Sequence, residues 1–577
     1  MRMTNKIMRN NAAYNINQNK ILQDKLTNQM TNQSKIVRPS DDPVVAIRAL
    51  RLRSNVAAVT QYNERNAKDA DQWLSLTADA INTVDQVLTD LYKQATSAPN
   101  KFETSDDLQI YLTQMKQLTA EFYSCANVDY AGRYVFSGYR TDLPVTFTEE
   151  DMKEMREHPV SFNIDEDFGF QDISRISYTD YTKIEEGIAS NPPIPAAGIT
   201  DEYSYEQAVK NTTLYRFRIS YNNLDSLEKR GALSFTMPDG TNVVAKAKVK
   251  VDDTTGDPVL DADGNPVVET DVDGNPVVET TAVDADGNTL TGVTVPEVKE
   301  FGDQEEAYKA IADGFEGIAY IPSSGELVFS EQFYNENFNE KAFEEGGAFH
   351  VNYDKSTWVN GDINPVHYFK CIEKKNVAAP NEEPDWRRTA YNTQMSDGRT
   401  QDIYYDVGYN QQIQVNTRAD EVFTHDVQRD IDDFEHYLNQ LKAIETVKKN
   451  LETKKGEFPE DSDEYKDIME RIEGADKAWD YIRENIHTKF ENQITKYQKY
   501  MDDSRVAMTD NATRGSRLEL IATRLTNQQA TFKELQQDNE GIDITETAVE
   551  MTSAELTYSA ALMATGKILQ TNLMNYI

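Results

Sequence analysis

The sequence is short of cysteine, of basic charge and of long apolar runs. Only Cys125 and Cys371 occur in 577 residues. Two thiols allow one disulfide at most, which excludes a disulfide-stapled secreted scaffold and a zinc site built on cysteine alone. No run of 18 apolar residues is present, so no membrane insertion is expected. The opening Met1-Arg-Met-Thr-Asn-Lys-Ile-Met lacks an apolar core, and no cleaved signal peptide is expected. Lys and Arg total 59 against 98 Asp and Glu, a net charge of -39. Phosphate binding rests on clustered Lys and Arg, so no nucleic-acid partner is expected. The six histidines are scattered and no His-Glu-x-x-His occurs. No nucleophile elbow, P-loop or dinucleotide fingerprint is found either. No catalytic residue, metal ligand or cofactor is assigned, and the chain is not expected to be an enzyme.

The charge is unevenly placed. Residues 1–60 carry ten basic and three acidic side chains, residues 505–577 six and nine, and the remainder 43 and 86. The regional nets are +7, -3 and -43, so the acidity belongs to the middle. An acidic middle repels its neighbours and suits a surface exposed to water.

The ends are helical by pattern. Ile7, Tyr14 and Ile21 recur every seven residues, joined by Leu22 and Leu26, which predicts a helix seam. Eight Asn in residues 1–34 weaken that helix on its own. Asp42 is placed to cap the next helix, with Pro43 at its first position. Leu52, Val56, Val59, Ala70, Trp73, Ile81, Val84, Leu88 and Leu91 then predict one helix over 44–97, with polar slots at Asn63 and Asn66. Pro99-Asn100 predicts a turn and Ser105 a third helix to about Asn127. From Arg133 the texture changes. Arg133-Tyr-Val-Phe-Ser-Gly138 and Leu214–Tyr221 read as strands, and Met237-Pro-Asp-Gly-Thr241 and Ile318–Phe329 as hairpins. Helical stripes return after Asn416, with a break at Gly456–Ser462. Val549, Leu556 and Met563 again recur every seven residues, and Leu562, Leu569 and Leu573 extend the apolar pattern.

This predicts an α+β fold: a long antiparallel helical bundle or coiled coil from both termini, with an inserted, mainly β central region. The expected domains are 1–139, 140–419 and 420–577. The middle holds a tandem repeat over 261–288, Asp261-Ala-Asp-Gly-Asn-Pro-Val-Val-Glu-Thr270 and Asp271-Val-Asp-Gly-Asn-Pro-Val-Val-Glu-Thr280. Asp-x-Asp-Gly-Asn is similar to the start of a calcium loop. Pro266 and Pro276 interrupt the pattern, so turn-forming repeats are the preferred reading.

Ile36-Val-Arg38-Pro39-Ser40-Asp41-Asp42-Pro43 and the run that follows resemble the N-terminal domain of the flagellin superfamily. Thr545–Leu573 resembles its C-terminal helix. Within the superfamily, Arg38–Pro43 is closer to the type 3 hook-associated (hook–filament junction) proteins than to filament flagellins. The resemblance implies terminal helices that pair antiparallel and build a tube, a middle that faces outward, and export to the extracellular flagellum without signal cleavage. The partners it implies are the type 1 hook-associated protein, flagellin, further copies of the chain in a ring or helical layer, an export chaperone and the export apparatus. The expected interface residues are Ile7, Tyr14, Ile21, Leu22 and Leu26 with Val549, Leu556, Leu562, Met563, Leu569 and Leu573. Filament flagellin is the alternative, ahead of a surface adhesin or enzyme.

Overall fold

The computed structural model describes residues 5–36, 38–40, 42–98, 104–190, 193–200, 202–230, 232–251, 259, 267–271, 274–284, 288–290, 292–377, 385–392 and 401–570. The predicted turn at Pro99-Asn100 and the first repeat, up to Pro266, lie outside them.

The fold is α+β, with long helices towards both ends and antiparallel sheets between them. The long helices are α1 (Asn5–Asn32), α2 (Pro43–Thr60), α3 (Ala67–Ser97) and α4 (Ser105–Ser124). Seven short ones follow: α5 (Glu149–Glu157), α6 (Thr182–Glu185), α7 (Tyr205–Ala208), α8 (Leu227–Arg230), α9 (Gln304–Ala312), α10 (Glu331–Asn337) and α11 (Glu340–Gly346). The last three are α12 (Asp426–Lys455), α13 (Asp463–Glu540) and α14 (Ile544–Gln570). The chain forms two compact units, one of residues 1–74, 404–415 and 513–577, the other of 75–403 and 416–512. Their boundaries fall inside α3, inside α13 and on either side of 404–415.

In the first unit, Asp42 caps α2 as its sequence suggests, accepting from the Val44 and Val45 N–H groups at 3.0 and 3.1 Å, with Pro43 first in the helix. The single helix expected over 44–97 is instead interrupted by a π-helical stretch, Gln61–Asn66. The polar slots sit there. Asn63 donates to Thr526 Oγ1 at 3.1 Å and Asn66 to the Asp406 carbonyl at 2.7 Å. An extra residue per turn is tolerated where side chains, not the core, take up the altered spacing. Asp406 belongs to a hairpin of two short antiparallel strands, Tyr404–Gly408 and Gln411–Gln414. The core here holds Trp73, Leu74, Val407, Ile413, Leu518 and Leu525.

Among the described residues the second unit contains two large sheets and one two-stranded ladder. The first strands, β1 (Asp129–Tyr130) and β2 (Arg133–Tyr134), form a small ladder, so Arg133–Gly138 is a strand for two residues only. Then come β3 (Val160–Phe168), β4 (Ile173–Asp180), β5 (Lys210–Arg218), β6 (Ala232–Thr236), β7 (Asn242–Ala247) and β8 (Val278–Val283). After them run β9 (Val298–Glu300), β10 (Ile318–Ile321), β11 (Glu326–Ser330), β12 (Phe349–Lys355), β13 (Lys370–Asn376) and β14 (Trp386–Tyr391). One sheet has the order β4-β5-β11-β10-β9, the other β14-β13-β3-β12-β6-β7-β8. All pairings are antiparallel except β9 with β10. Both predicted hairpins form, as β6–β7 and β10–β11. Alternate residues of β3 and β12 are buried, because successive side chains point to opposite faces. The buried faces of the two sheets share one phenylalanine-rich core, in which the Phe217 and Phe349 rings stack at 4.7 Å.

Helices α4 and α12 lie in this unit with the first part of α13. The predicted stripe Ile431, Phe434, Leu438, Leu441, Ile444 and Val447 is buried, and Phe434 stacks on Phe490 at 4.3 Å. Cys125 and Cys371 are free buried thiols, pushed up to about 11 and about 12 by burial. In the described part of the repeat, Asp271 accepts from the Asn275 N–H at 2.9 Å and Asp284 from the Asn288 N–H at 2.8 Å. Both are turns. Asn275 is buried, and its amide donates to Glu306 of α9 at 3.0 Å while accepting from the Gly302 N–H.

Candidate assembly surface

The first unit brings the two ends of the chain together. Ser34 bridges to Gly541, the Lys35 N–H donates to the Glu540 carbonyl at 2.7 Å, and Gln23 donates to Glu555 at 3.5 Å. Residue numbers rise along α1 as they fall along α14, so the helices pair antiparallel. Arg53 of α2 clasps Glu540 with its Nε at 2.9 Å and with a terminal guanidinium nitrogen. The hydrogen bond and charge of Glu540 raise the Arg53 guanidinium above its ordinary value. Asn539 donates to the Val45 carbonyl at 3.2 Å, and Gln529 to Thr60 and Glu64 at 2.8 and 2.9 Å. Gly541 closes α13, and Asp543 opens α14 by accepting from the Thr545 and Glu546 N–H groups.

The residues spaced by seven are not those that close α1 on α14. The sheltered side of α1 runs Met8, Ala12, Ile16, Asn19, Gln23, Leu26 and Met30. That of α14 runs Thr547, Met551, Ala554, Tyr558, Ala561 and Thr565. Both step by three or four, the spacing of a helix–helix seam. The sequence reading singled out Leu26 alone of these, because Ala, Thr, Asn and Gln are interleaved with the larger apolar residues and dilute the pattern. Ala and Thr allow close approach, and α1 supplies Asn and Gln where leucine would be looked for.

Ile7, Tyr14 and Ile21 therefore fall about 150° around α1 from that seam, and Val549, Leu556 and Met563 about 180° around α14 from its own. All six are exposed, Tyr14 at 64%, Val549 at 66% and Leu556 at 72%. Leu22 and Leu562 are exposed beside the seams, and Leu26 alone of the expected set is buried, at 3%. The side chain of Leu569 and all of Leu573 lie outside the described residues. Arg38, Pro39 and Ser40 form the turn before α2; Asp41 lies outside the described residues. Val44, Ile47 and Leu50 of α2 are exposed as well. The helix pair thus presents an apolar stripe on each of two outward sides. The charges differ too: α1 carries Lys6, Arg9, Lys20 and Lys25 against Asp24, a net of +3. Helix α14 carries Glu546, Glu550 and Glu555 against Lys567, a net of -2.

Residues 3–141 match the family profile described as bacterial flagellin N-terminal helical region. This stretch is similar to the N-terminal helical region of flagellins. The flagellin resemblance holds there, across α1 to α4. Flagellar hook-associated protein 3 of Escherichia coli strain K12 is 31% identical over 126 residues, 22% of this chain and 39% of that protein. Its counterpart from Salmonella typhimurium is 29% identical over 119 residues, 20% of this chain and 37% of that protein. The chain thus spans about two fifths of the length of the curated relatives it matches. Among solved structures, flagellar hook associated protein-3 from Legionella pneumophila aligns at 10% identity over 83% of this chain and 98% of its own, with a TM-score of 0.18. FlgL from Xanthomonas campestris aligns at 10% over 82% and 98%, with a TM-score of 0.21. Nothing further follows from superpositions that low.

Sequence reasoning also missed a buried charge cluster in the second unit. Arg216 and Arg218 of β5 reach Asp433 at 2.6 and 2.9 Å, and Arg218 reaches Asp430 at 2.9 Å. Lys496 holds Asp430 at 2.8 Å; Lys489 also pairs with Asp433, and Glu326 with Arg216. Burial alone would push Asp430 and Asp433 up, but the surrounding cations hold both far below the carboxylate range. The cluster ties β5 to α12 and α13. In a chain with 98 acidic residues, no spacing marks these two aspartates out.

Proposed function

We propose that the chain is a structural adaptor of the bacterial flagellum, placed at the hook–filament junction. It would join a ring of the type 1 hook-associated protein on the hook side to the first layer of flagellin. The observation that carries this reading is the pair of outward apolar stripes on α1 and α14. Such stripes are costly in water and are relieved when neighbouring helices cover them. Ile7, Tyr14, Ile21, Leu22, Val549, Leu556, Leu562 and Met563 then contact neighbouring subunits, and Leu26 holds the pair closed from within. The opposite charges of α1 and α14 favour packing one copy's α1 beside another's α14. The acidic middle, 140–419, faces water in this reading, between tube-forming regions 1–139 and 420–577. Export to the extracellular flagellum without signal cleavage, aided by a chaperone and the export apparatus, belongs to the same proposal.

The test is deletion of residues 1–30. The truncated protein is expected to keep the folded second unit, seen as an unchanged cooperative melt, and to lose assembly. Normal assembly by the truncated protein refutes the proposal. The curated relatives' name favours the junction role over filament flagellin, and polymerisation separates the two. A junction protein stops at short oligomers, whereas a flagellin grows long filaments by itself.

A further inference from the structure

A cavity of about 820 Å³ lies in the second unit, walled by α9, α12 and the end of β4. At its centre is Glu305, in the first turn of α9. Gln440 donates to Glu305 Oε1 at 2.7 Å, and His436 Nε2 stands 3.6 Å from the same oxygen without a hydrogen bond. Among the described residues no Lys or Arg pairs with Glu305. Of the other carboxylates of the wall, Asp303 caps α9, Asp432 takes Arg429 at 2.9 Å, Glu435 takes Lys116 at 2.7 Å, Glu326 and Asp433 take Arg216, and Glu306 accepts from Asn275; among the described residues the exposed Glu185 stands with Glu305 without a cation.

The wall also holds acceptors with nothing to accept from. Gln440 is 5% exposed, yet its Oε1 has no partner, and neither has the buried Ser324 Oγ. A buried polar atom left unpaired forfeits its hydrogen bond to water without replacement, so such atoms in a cavity mark what would fill it. The rings of Tyr178 and Tyr181 complete the wall. Their phenols are pushed up first by burial and next by the negative charge of Glu305.

We propose that this cavity receives a cationic nitrogen head group, an ammonium or a guanidinium, held by Glu305 and Gln440 Oε1 against Tyr178 and Tyr181. The chemistry selects this class. An anion is repelled by Glu305. An apolar group leaves Gln440 Oε1 and Ser324 Oγ unpaired. A bare metal ion finds no group of three ligating side chains among the described residues, where hard cations collect several oxygens. A head group with several N–H donors satisfies the carboxylate and the amide together and lies over aromatic faces. Its source is either a free amine or a Lys or Arg side chain of a second copy of the chain.

Titration calorimetry of the full chain with agmatine, which carries one guanidinium and one ammonium, tests the site. Saturable binding is expected, weakened about ten- to hundredfold in Glu305→Gln and in Gln440→Leu, the loss of a charge-assisted hydrogen bond. Glu305 is 43% exposed, so Glu305→Gln keeps the fold, checked by an unchanged melt. Sedimentation velocity separates the sources. If a second copy supplies the cation, agmatine and Glu305→Gln each reduce self-association; if a free amine does, neither changes it. No saturable heat, or equal affinity in wild type and Glu305→Gln, overturns the proposal.

Discussion

Replacing Leu556 by Ser separates assembly from folding. Leu556 is 72% exposed, on the side of α14 away from α1. Burying a leucine fully contributes about 1.5–3 kcal/mol, and the portion still exposed here corresponds to about 1–2 kcal/mol. Covering it in an assembled subunit therefore strengthens each contact about 5- to 30-fold. The isolated chain gains none of this, because a surface substitution shifts stability by no more than about 0.5 kcal/mol. Sedimentation velocity of the full chain, alone and mixed with purified type 1 hook-associated protein and with flagellin, measures the first effect; a urea melt measures the second. The expected result is association weakened 5- to 30-fold at an unchanged urea midpoint. Leu26→Ala should do the reverse in kind, lowering the midpoint because it opens a buried site. If Leu556→Ser associates like wild type with every partner, the outward stripe is not an interface.

Three further outcomes follow from local geometry. Asp433→Ala takes from the buried Arg216, Arg218 and Lys489 the carboxylate they share, leaving Arg216 with Glu326 and Arg218 with Asp430, and the second unit should lose about 3–5 kcal/mol in a denaturant melt. Asp42→Ala removes the cap of α2 and should cost about 1 kcal/mol, read as faster hydrogen exchange at Val44 and Val45. His350 is raised to about 9 by Asp165, 3.6 Å from its Nε2, against some desolvation, and by Asp167, 2.5 Å from its Nδ1. A folded-state value above the unfolded one near 6.5 gives stability that is complete below pH 6.5 and lost as pH rises through about 9. The urea midpoint of wild type relative to His350→Gln should therefore fall between pH 6 and pH 9.5; a constant difference refutes the assignment.

Periodicity made much of the fold legible. The stripes of α3, α4 and α12 are buried because each repeats apolar residues at helical spacing along one face. The β6–β7 and β10–β11 hairpins form where Gly-containing turns separate β-prone runs. The π-helical interruption at Gln61–Asn66 was visible only as two asparagines in an apolar stripe. The α1–α14 pairing was legible as a fact and not in its residues. A seam in which Ala, Thr, Asn and Gln interleave with Met8, Ile16, Leu26 and Met30 has a diluted hydrophobic signal, while the exposed Ile7–Tyr14–Ile21 stripe has a strong one. Apolar spacing reports a face that needs covering, without saying whether the chain itself or a neighbour covers it. The Glu305 cavity and the Asp430–Asp433 cluster were illegible for another reason. They gather residues more than a hundred positions apart, and in an acidic chain no carboxylate stands out until its neighbours are known.

The central proposal is that this chain is the link between hook and filament. Electron microscopy of cells lacking the chain, with an assay of flagellin in the medium, tests it most directly. The expected result is hooks without filaments and flagellin shed into the medium, both reversed by the full-length chain and not by one lacking residues 1–30. Filaments of normal length on cells without the chain would contradict it.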